Sequence, residues 1–143
     1  PWGVLRLFAG GVCLARGFVA SGLSAQVGEA LTLVAALPVF LMMLLLALVV
    51  TFLTEATSNT ATTALLMPVL AAVALAVDID PLWLMVPAAM SASCAFMLPV
   101  ATAPNAVVFG SGELPIQRMV REGFVLNLFG AIVIAGLMTL ILS

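Results

Sequence analysis

The stretch Thr51–Thr63, TFLTEATSNTATT, decides how this chain folds. It carries eight hydroxyl or amide side chains and one carboxylate, Glu55. The flanking segments, PVFLMMLLLALVV and ALLMPVLAAVALAV, are almost purely apolar. A polar cluster between two apolar arms is costly in a lipid bilayer unless it binds a ligand or is buried against protein. The stretch therefore predicts a buried polar turn that has a function.

The composition identifies the class of protein. The chain has 143 residues, of which 65% are hydrophobic and 7% charged, and its mean hydropathy is +1.37. Soluble domains carry about 25% charged residues. Four charge-free runs each approach or exceed the roughly 20 residues of a spanning helix; they are 30–54, 56–77, 81–112 and 123–143. We therefore predict an all-α, multi-pass integral membrane protein.

Several functions are excluded by residue type. The chain contains no His, so it cannot form a three-histidine zinc site or a Ser-His-Asp triad by itself. Cys13 and Cys94 lack metal-ligand spacing and are predicted to be buried apolar side chains. A net charge of −2 gives no basic surface for nucleic acid. Since no set of base, metal and activated nucleophile is present, we predict that the chain is not an enzyme.

The first two segments are a linking region and a hairpin. Residues 1–37 are predicted to hold scaffold-side or linking helices, over 2–18 and from an N-cap at Ser24 to about Ala36, separated by a turn at 21–24. Residues 38–77 divide into the arms Pro38–Leu53 and Ala64–Val77, with a polar tip at 54–60 that turns at 57–60.

The arm lengths favour a hairpin that enters and leaves the membrane on one side. At the helical rise the arms are about 24 and 21 Å long, which is short of a hydrocarbon core of about 30 Å. The alternative is a full span from Leu31 to Leu53, which would place the Ser-Asn-Thr cluster at the membrane surface. Helix propensity does not separate these two interpretations.

The segment 78–113 is predicted to be a discontinuous transmembrane helix. A surface turn at Asp78–Pro81 precedes a helix over 81–98, and the break lies at 99–105. Pro99 and Pro104 lie five residues apart beside a Thr and an Asn, and proline removes a backbone donor. Such breaks are tolerated at membrane depth only where they are buried in protein or line a cavity.

The segment 114–143 is predicted to be a polar connector, Leu114–Glu122, and a final transmembrane helix from about Gly123 to Leu142. Arg118 and Arg121 flank this span, whereas the Asp78–Pro81 turn carries no basic residue. The positive-inside rule therefore assigns the connector to the cytoplasm and the Asp turn to the outer side.

Two polar breaks at membrane depth, Thr54–Thr60 and Ala101–Asn105, are typical of transporters whose half-helices meet at a midplane site. Half-helix N-termini attract anions, and Thr, Asn and carbonyl oxygens suit Na⁺. Neither break contains Arg, Lys or His. This pattern predicts cation-coupled anion transport. For Glu55 two roles stay open, a buried acid held by backbone donors or a missing Arg, which we favour, and a proton relay.

Two motifs resemble the divalent anion:sodium symporter family, which carries di- and tricarboxylates and sulfate. LTEATSNTATT, at 53–63, is similar to the family's second Ser-Asn-Thr hairpin tip. ASCAFMLPVATAPNAVV, at 92–108, fits the family signature around the helix break. The opening segment 1–24 is also similar to the family, so the resemblance covers essentially the whole chain.

The resemblance implies a site at the tip and the break. The residues it assigns to the substrate are Ser58, Asn59, Thr60, Thr102 and Ala103. The residues it assigns to a sodium ion are Thr54, Thr57, Asn59 and Ala101, the last through its carbonyl. The family usually has Pro at the position of Ala103, so the shape of this break departs from the family pattern.

The resemblance also implies the larger architecture. The chain matches the C-terminal half of an inverted-repeat transporter, and the N-terminal half, with its own Ser-Asn-Thr tip, is expected to be missing. The implied protein is a homodimeric, elevator-type sodium symporter for a divalent anion such as succinate, and the final helix is expected to pack beside its scaffold. The alternatives are a proton-coupled or oxyanion-exporting relative, or a non-transporting helical membrane module.

Overall fold

The computed structural model describes residues 2–23, 26 and 37–142, and within these ranges it contains six α-helices and no β-strand. The predicted all-α class is therefore confirmed. The second linking helix, predicted over 24–36, lies outside the described residues except for Gln26. The six helices are α1 Trp2–Ala20, α2 Val39–Ala56, α3 Asn59–Ala76, α4 Leu82–Ser91, α5 Ala103–Gly110 and α6 Ile116–Leu142.

Three of these helices are long and apolar enough to cross a membrane. They are α2, α3 and residues Ile116–Ile141 of α6. Each of the 18-residue helices α2 and α3 is about 27 Å long at the helical rise. With the hydrophobic composition of the chain, these lengths confirm an integral membrane protein.

A short turn joins helices α2 and α3 within the segment predicted to be a hairpin, and this turn is tighter than expected. Only Thr57 and Ser58 interrupt the two helices, whereas the sequence predicted a tip over 54–60. The Ser58 hydroxyl caps α3 by accepting from the backbone N–H of Ala61 (3.5 Å). The Thr57 hydroxyl donates to the Leu53 carbonyl (2.8 Å). Because these hydroxyl groups form hydrogen bonds with backbone groups at the helix ends, both helices continue to the turn.

Helix α4 packs against both arms of the hairpin, while direct contact between the arms is limited. Its buried residues Ala88 and Leu84 belong to two apolar clusters that include residues of α2 and α3. The turn before α4 lies at the predicted place, 78–81. Asp78 has a positive φ of 58°, which Asp tolerates, and the Asp80 carboxylate accepts from the backbone N–H of Leu82 (2.9 Å).

Helix α4 ends earlier than predicted. The sequence predicted a helix over 81–98 and a break at 99–105, but α4 ends at Ser91 and the irregular segment covers 92–102. Pro99 therefore does not end the helix, and Asn105 lies inside α5. The physical reason is that distant side chains supply hydrogen-bond partners to the backbone of this segment.

Helix α6 begins at Ile116, so most of the predicted connector is helical. It packs along α2 and also contacts α4. Small side chains allow this approach, since buried Ala131 of α6 and buried Ala47 of α2 belong to the same apolar cluster. The buried face of α6 thus lies on the hairpin arm, and additional packing of this helix beside a scaffold stays a prediction.

Helix α1, at the other end of the chain, packs against α3. Cys13 on α1 is exposed, and Cys94 in the break after α4 is only partly buried. The prediction that both thiols are buried is therefore wrong. Apolar neighbours in the sequence indicate a lipid-facing position as well as a buried one, because both environments lack water.

Candidate functional site

Thr54 is the buried centre of the hairpin tip. Its side chain is 0% exposed, and its hydroxyl oxygen lies 2.7 Å from the Asn59 amide oxygen and 3.0 Å from the Ala92 carbonyl oxygen. A hydroxyl has a single hydrogen to donate. With the Asn59 amide oxygen facing Thr54, one hydrogen is shared between two acceptors. The three oxygens together have the hard, neutral donor character that suits a small cation.

Glu55, the next residue, is 4% exposed and reaches the break between α4 and α5. Its Oε1 accepts from the backbone N–H groups of Phe96 (2.7 Å) and Met97 (2.8 Å). Its Oε2 accepts from the N–H of Leu98 (3.0 Å). Three successive N–H groups thus surround one carboxylate, an arrangement typical of anion-binding backbone nests. Of the two roles left open by the sequence, these contacts favour the buried acid held by backbone donors.

Asn105 supplies the complementary contacts to the same segment. Its amide nitrogen donates to the carbonyls of Ala95 (2.9 Å) and Leu98 (3.0 Å). Its backbone N–H donates to the Thr102 hydroxyl (3.3 Å), which caps α5. Glu55 therefore accepts hydrogen bonds from N–H groups of the break, and Asn105 donates hydrogen bonds to its carbonyl groups. Irregular backbone inside a membrane protein persists only when such partners are present.

Helix α6 contributes two residues that the sequence analysis missed. Asn127 is 0% exposed and donates from Nδ2 to Glu55 Oε1 (2.7 Å). Gly123, one turn earlier, faces the break so closely that a Cβ atom there would overlap the Phe96 carbonyl and lie 2.7 Å from Met97 Cα. The sequence signal for this pair is a single amide in the middle of an apolar span, four residues after a glycine.

The tip and the break enclose a cleft of about 440 Å³. Helices α3 and α5 begin at this cleft, behind the caps Ser58 and Thr102. Both helix N-termini carry partial positive charge. Among the described residues, the charged lining of the cleft is Glu55 alone, whose two oxygens already accept four N–H groups. The lining residues are Glu55, Ala56, Thr57, Ser58, Val100, Ala101, Thr102 and Ala103.

The predicted site residues divide between this cleft and a second cavity. Thr57, Ser58 and the three predicted break residues line the cleft together. Asn59 and Thr60 instead line a cavity of about 550 Å³ that also includes Met85 and Ser93. Thr54 lines neither space, and its hydroxyl contacts Asn59, which lines the second cavity.

Comparison with known proteins gives a family match over nearly the whole chain. Residues 1–142 match the family model described as sodium:sulfate symporter transmembrane region. The chain is 51% identical over 134 residues to the sodium-dependent dicarboxylate transporter SdcS of Staphylococcus saprophyticus, covering 94% of this chain and 26% of that protein. It is 50% identical over 134 residues to SdcS of Staphylococcus aureus strain USA300, with the same coverage. The chain thus spans about a quarter of the length of the curated relatives it matches.

Proposed function

This chain belongs to the sodium:sulfate symporter transmembrane family, and we propose that it comes from the C-terminal half of a sodium-coupled dicarboxylate symporter. The relatives at about 50% identity are named as sodium-dependent dicarboxylate transporters, not as enzymes. A four-carbon dicarboxylate such as succinate is accordingly the substrate to test first.

The observation that carries this proposal is the cleft between the two capped helix N-termini. Ser58 and Thr102 stand at its two sides, and Ala103 begins α5 there. A carboxylate needs donors to replace its water, and hydroxyl groups with helix N-termini supply them without a fixed positive charge. Asn59 and Thr60, just across the tip, would hold the same anion from the side of the second cavity.

A cation is needed because the described residues that line the cleft include no Arg or Lys. We assign the sodium ion to the oxygens of Thr54, Thr57 and Asn59 and to the carbonyl of Ala101. The crowding of oxygens around Thr54 supports this assignment. A sodium ion there would neutralise part of the substrate charge, so dicarboxylate binding without sodium should be weak.

The proposal extends to the parts of the carrier that this chain lacks. The 550 Å³ cavity beside Asn59 and Thr60 has polar residues at the tip and apolar residues further along. The N-terminal half of an inverted-repeat carrier would cover it and complete the substrate site. We further propose that α2 and α3 form a re-entrant hairpin, that the carrier is a homodimer of the cell membrane, and that it works by an elevator movement.

The test is succinate uptake by the full-length carrier in proteoliposomes, with an inward sodium gradient or none. Asn59→Ala should abolish sodium-driven uptake because it removes an oxygen from the cation and a donor from the substrate. Gln117→Ala, which removes an exposed amide at the start of α6, should leave uptake unchanged. Sodium coupling would be refuted by uptake that does not depend on the sodium gradient. It would also be refuted by uptake that follows a proton gradient and is lost on Glu55→Gln.

A further inference from the structure

We propose that Asn127, on the last helix, is a positioning residue for the cation site, acting through Glu55 on the break between α4 and α5. The inference rests on the proposed sodium-coupled transport. It assigns to α6 a role in setting sodium affinity and ion selectivity, beyond that of a packing helix.

The burial of Asn127 is energetically unfavourable, and packing alone does not explain why this residue is buried. Its side chain is fully buried, and its amide nitrogen donates to Glu55, while its amide oxygen has no partner among the described residues. A buried polar atom without a partner is destabilising. A leucine at this position in an apolar span would avoid that cost. The arrangement is therefore better explained by what the amide does to Glu55 than by the stability of α6.

The contact with Glu55 links three elements at one carboxylate. Within the described part of the chain Glu55 has four donors, of which three belong to the break and the fourth is Asn127 of α6. Asn127 shares Oε1 with the N–H groups of Phe96 and Met97. The amide therefore restrains the rotation of the carboxylate about its side-chain bonds, and with it the position of the segment 96–98.

Both ends of this linkage adjoin residues assigned to the cation. Glu55 directly follows Thr54 on α2, and Ala101 lies three residues after Leu98 on the break. The separation between the Thr54 hydroxyl and the Ala101 carbonyl is thus set partly by how Glu55 holds the segment 96–98. Outer partners that orient metal ligands typically change metal affinity by about 10–100-fold when removed.

The experiment uses the full-length carrier in proteoliposomes. Asn127→Leu should raise the half-saturating sodium concentration about tenfold, with the maximal uptake rate per carrier little changed. It should also alter the ratio of sodium-driven to lithium-driven uptake, because the spacing of the oxygens around the ion changes. Thr139→Val is the matched control, since the Thr139 hydroxyl on the same helix donates to its own-helix carbonyl at Ala135 (2.7 Å).

A double-substitution cycle separates positioning from general destabilisation. Glu55→Gln weakens the bond that Asn127→Leu removes, so the combined effect on half-saturating sodium should fall below the product of the single effects. If Asn127→Leu accumulates poorly, Asn127→Ser, whose hydroxyl is too short to reach Glu55, should show the same sodium shift.

Three results would overturn the inference. The first is a cycle in which the effects of the two substitutions on half-saturating sodium simply multiply. The second is a lower maximal rate with unchanged sodium dependence and unchanged ion ratio in either Asn127 variant, and the third is a pair of Asn127 variants that behave like the wild-type carrier. A wild-type carrier that takes up succinate without sodium would instead refute the proposed function, and this inference would fall with it. Sodium-dependent wild-type uptake with unaltered Asn127 variants would refute the inference alone.

Discussion

Replacing Glu55 by Gln tests whether this acid is an anchor for the break or a carrier of protons. The substitution keeps the size of the side chain and removes one acceptor. With its amide oxygen at the Oε1 position, the new side chain still accepts from three donors, Phe96, Met97 and Asn127. The new amide nitrogen then faces the backbone N–H of Leu98, which loses its acceptor.

The magnitude follows from these contacts. One buried donor without a partner costs about 1–3 kcal/mol. The three remaining bonds change from charge-assisted to neutral, which costs roughly 0.5–1 kcal/mol each. Burying a neutral amide is less costly than burying a carboxylate, and this offsets part of the loss. We expect a net destabilisation of about 2–4 kcal/mol, which is large against the roughly 5–15 kcal/mol of a typical domain.

The assay pairs thermal unfolding of the purified full-length carrier with succinate uptake in proteoliposomes. Glu55→Gln should lower the melting temperature and raise the half-saturating sodium concentration, because the break shifts relative to Thr54. Glu122→Gln serves as the control, since Glu122 is an exposed acid on α6 and its neutralisation should leave both measurements unchanged.

An unchanged melting temperature for Glu55→Gln would contradict the anchoring role. If uptake were lost at the same time and had followed a proton gradient in the wild-type carrier, the proton-relay alternative would be supported. A lowered melting temperature with sodium-driven uptake retained at high sodium is the outcome that anchoring requires.

Two further substitutions test the contacts around the break. Gly123→Ala should destabilise the carrier by about 1–3 kcal/mol and reduce uptake, because the added methyl group overlaps the Phe96 carbonyl. The control is Gly136→Ala on the same helix, whose added methyl group meets open space and should leave the melting temperature unchanged or higher. Thr102→Ala should destabilise the carrier by about 1 kcal/mol, because the backbone N–H of Asn105 loses its cap at the start of α5. It should also weaken succinate binding, measured as a higher half-saturating succinate concentration. An unchanged half-saturating concentration would remove Thr102 from the substrate site.

The hairpin shows how far local sequence patterns reach. Its existence followed from a polar cluster between two apolar arms, because the lipid bilayer permits that pattern only as a buried or ligand-binding turn. Its exact extent did not follow. The caps at Thr57 and Ser58 act within four residues, yet whether the helices continue to the turn depends on where those hydroxyl groups point.

The broken helix shows where local patterns fail. Prolines at 99 and 104 indicated a break, but the irregular segment begins already at 92. The acceptor for the N–H groups of 96–98 is Glu55, more than 40 residues earlier in the chain. Patterns among neighbouring residues contain no information about such a partner, so the sequence indicated the break only through its two prolines and the Thr and Asn beside them.

The sequence by itself determined that this is an all-helical membrane protein with two polar interruptions, since apolar length and buried polarity are local properties of the chain. It also carried the motifs that relate the chain to its family. Only the tertiary structure decided that Glu55 anchors the break, that Gly123 and Asn127 support it from α6, and that the predicted site residues divide between two cavities. The physical reason is that hydrogen bonds and close backbone contacts depend on distances in space, which residues 41 to 72 positions apart acquire only on folding.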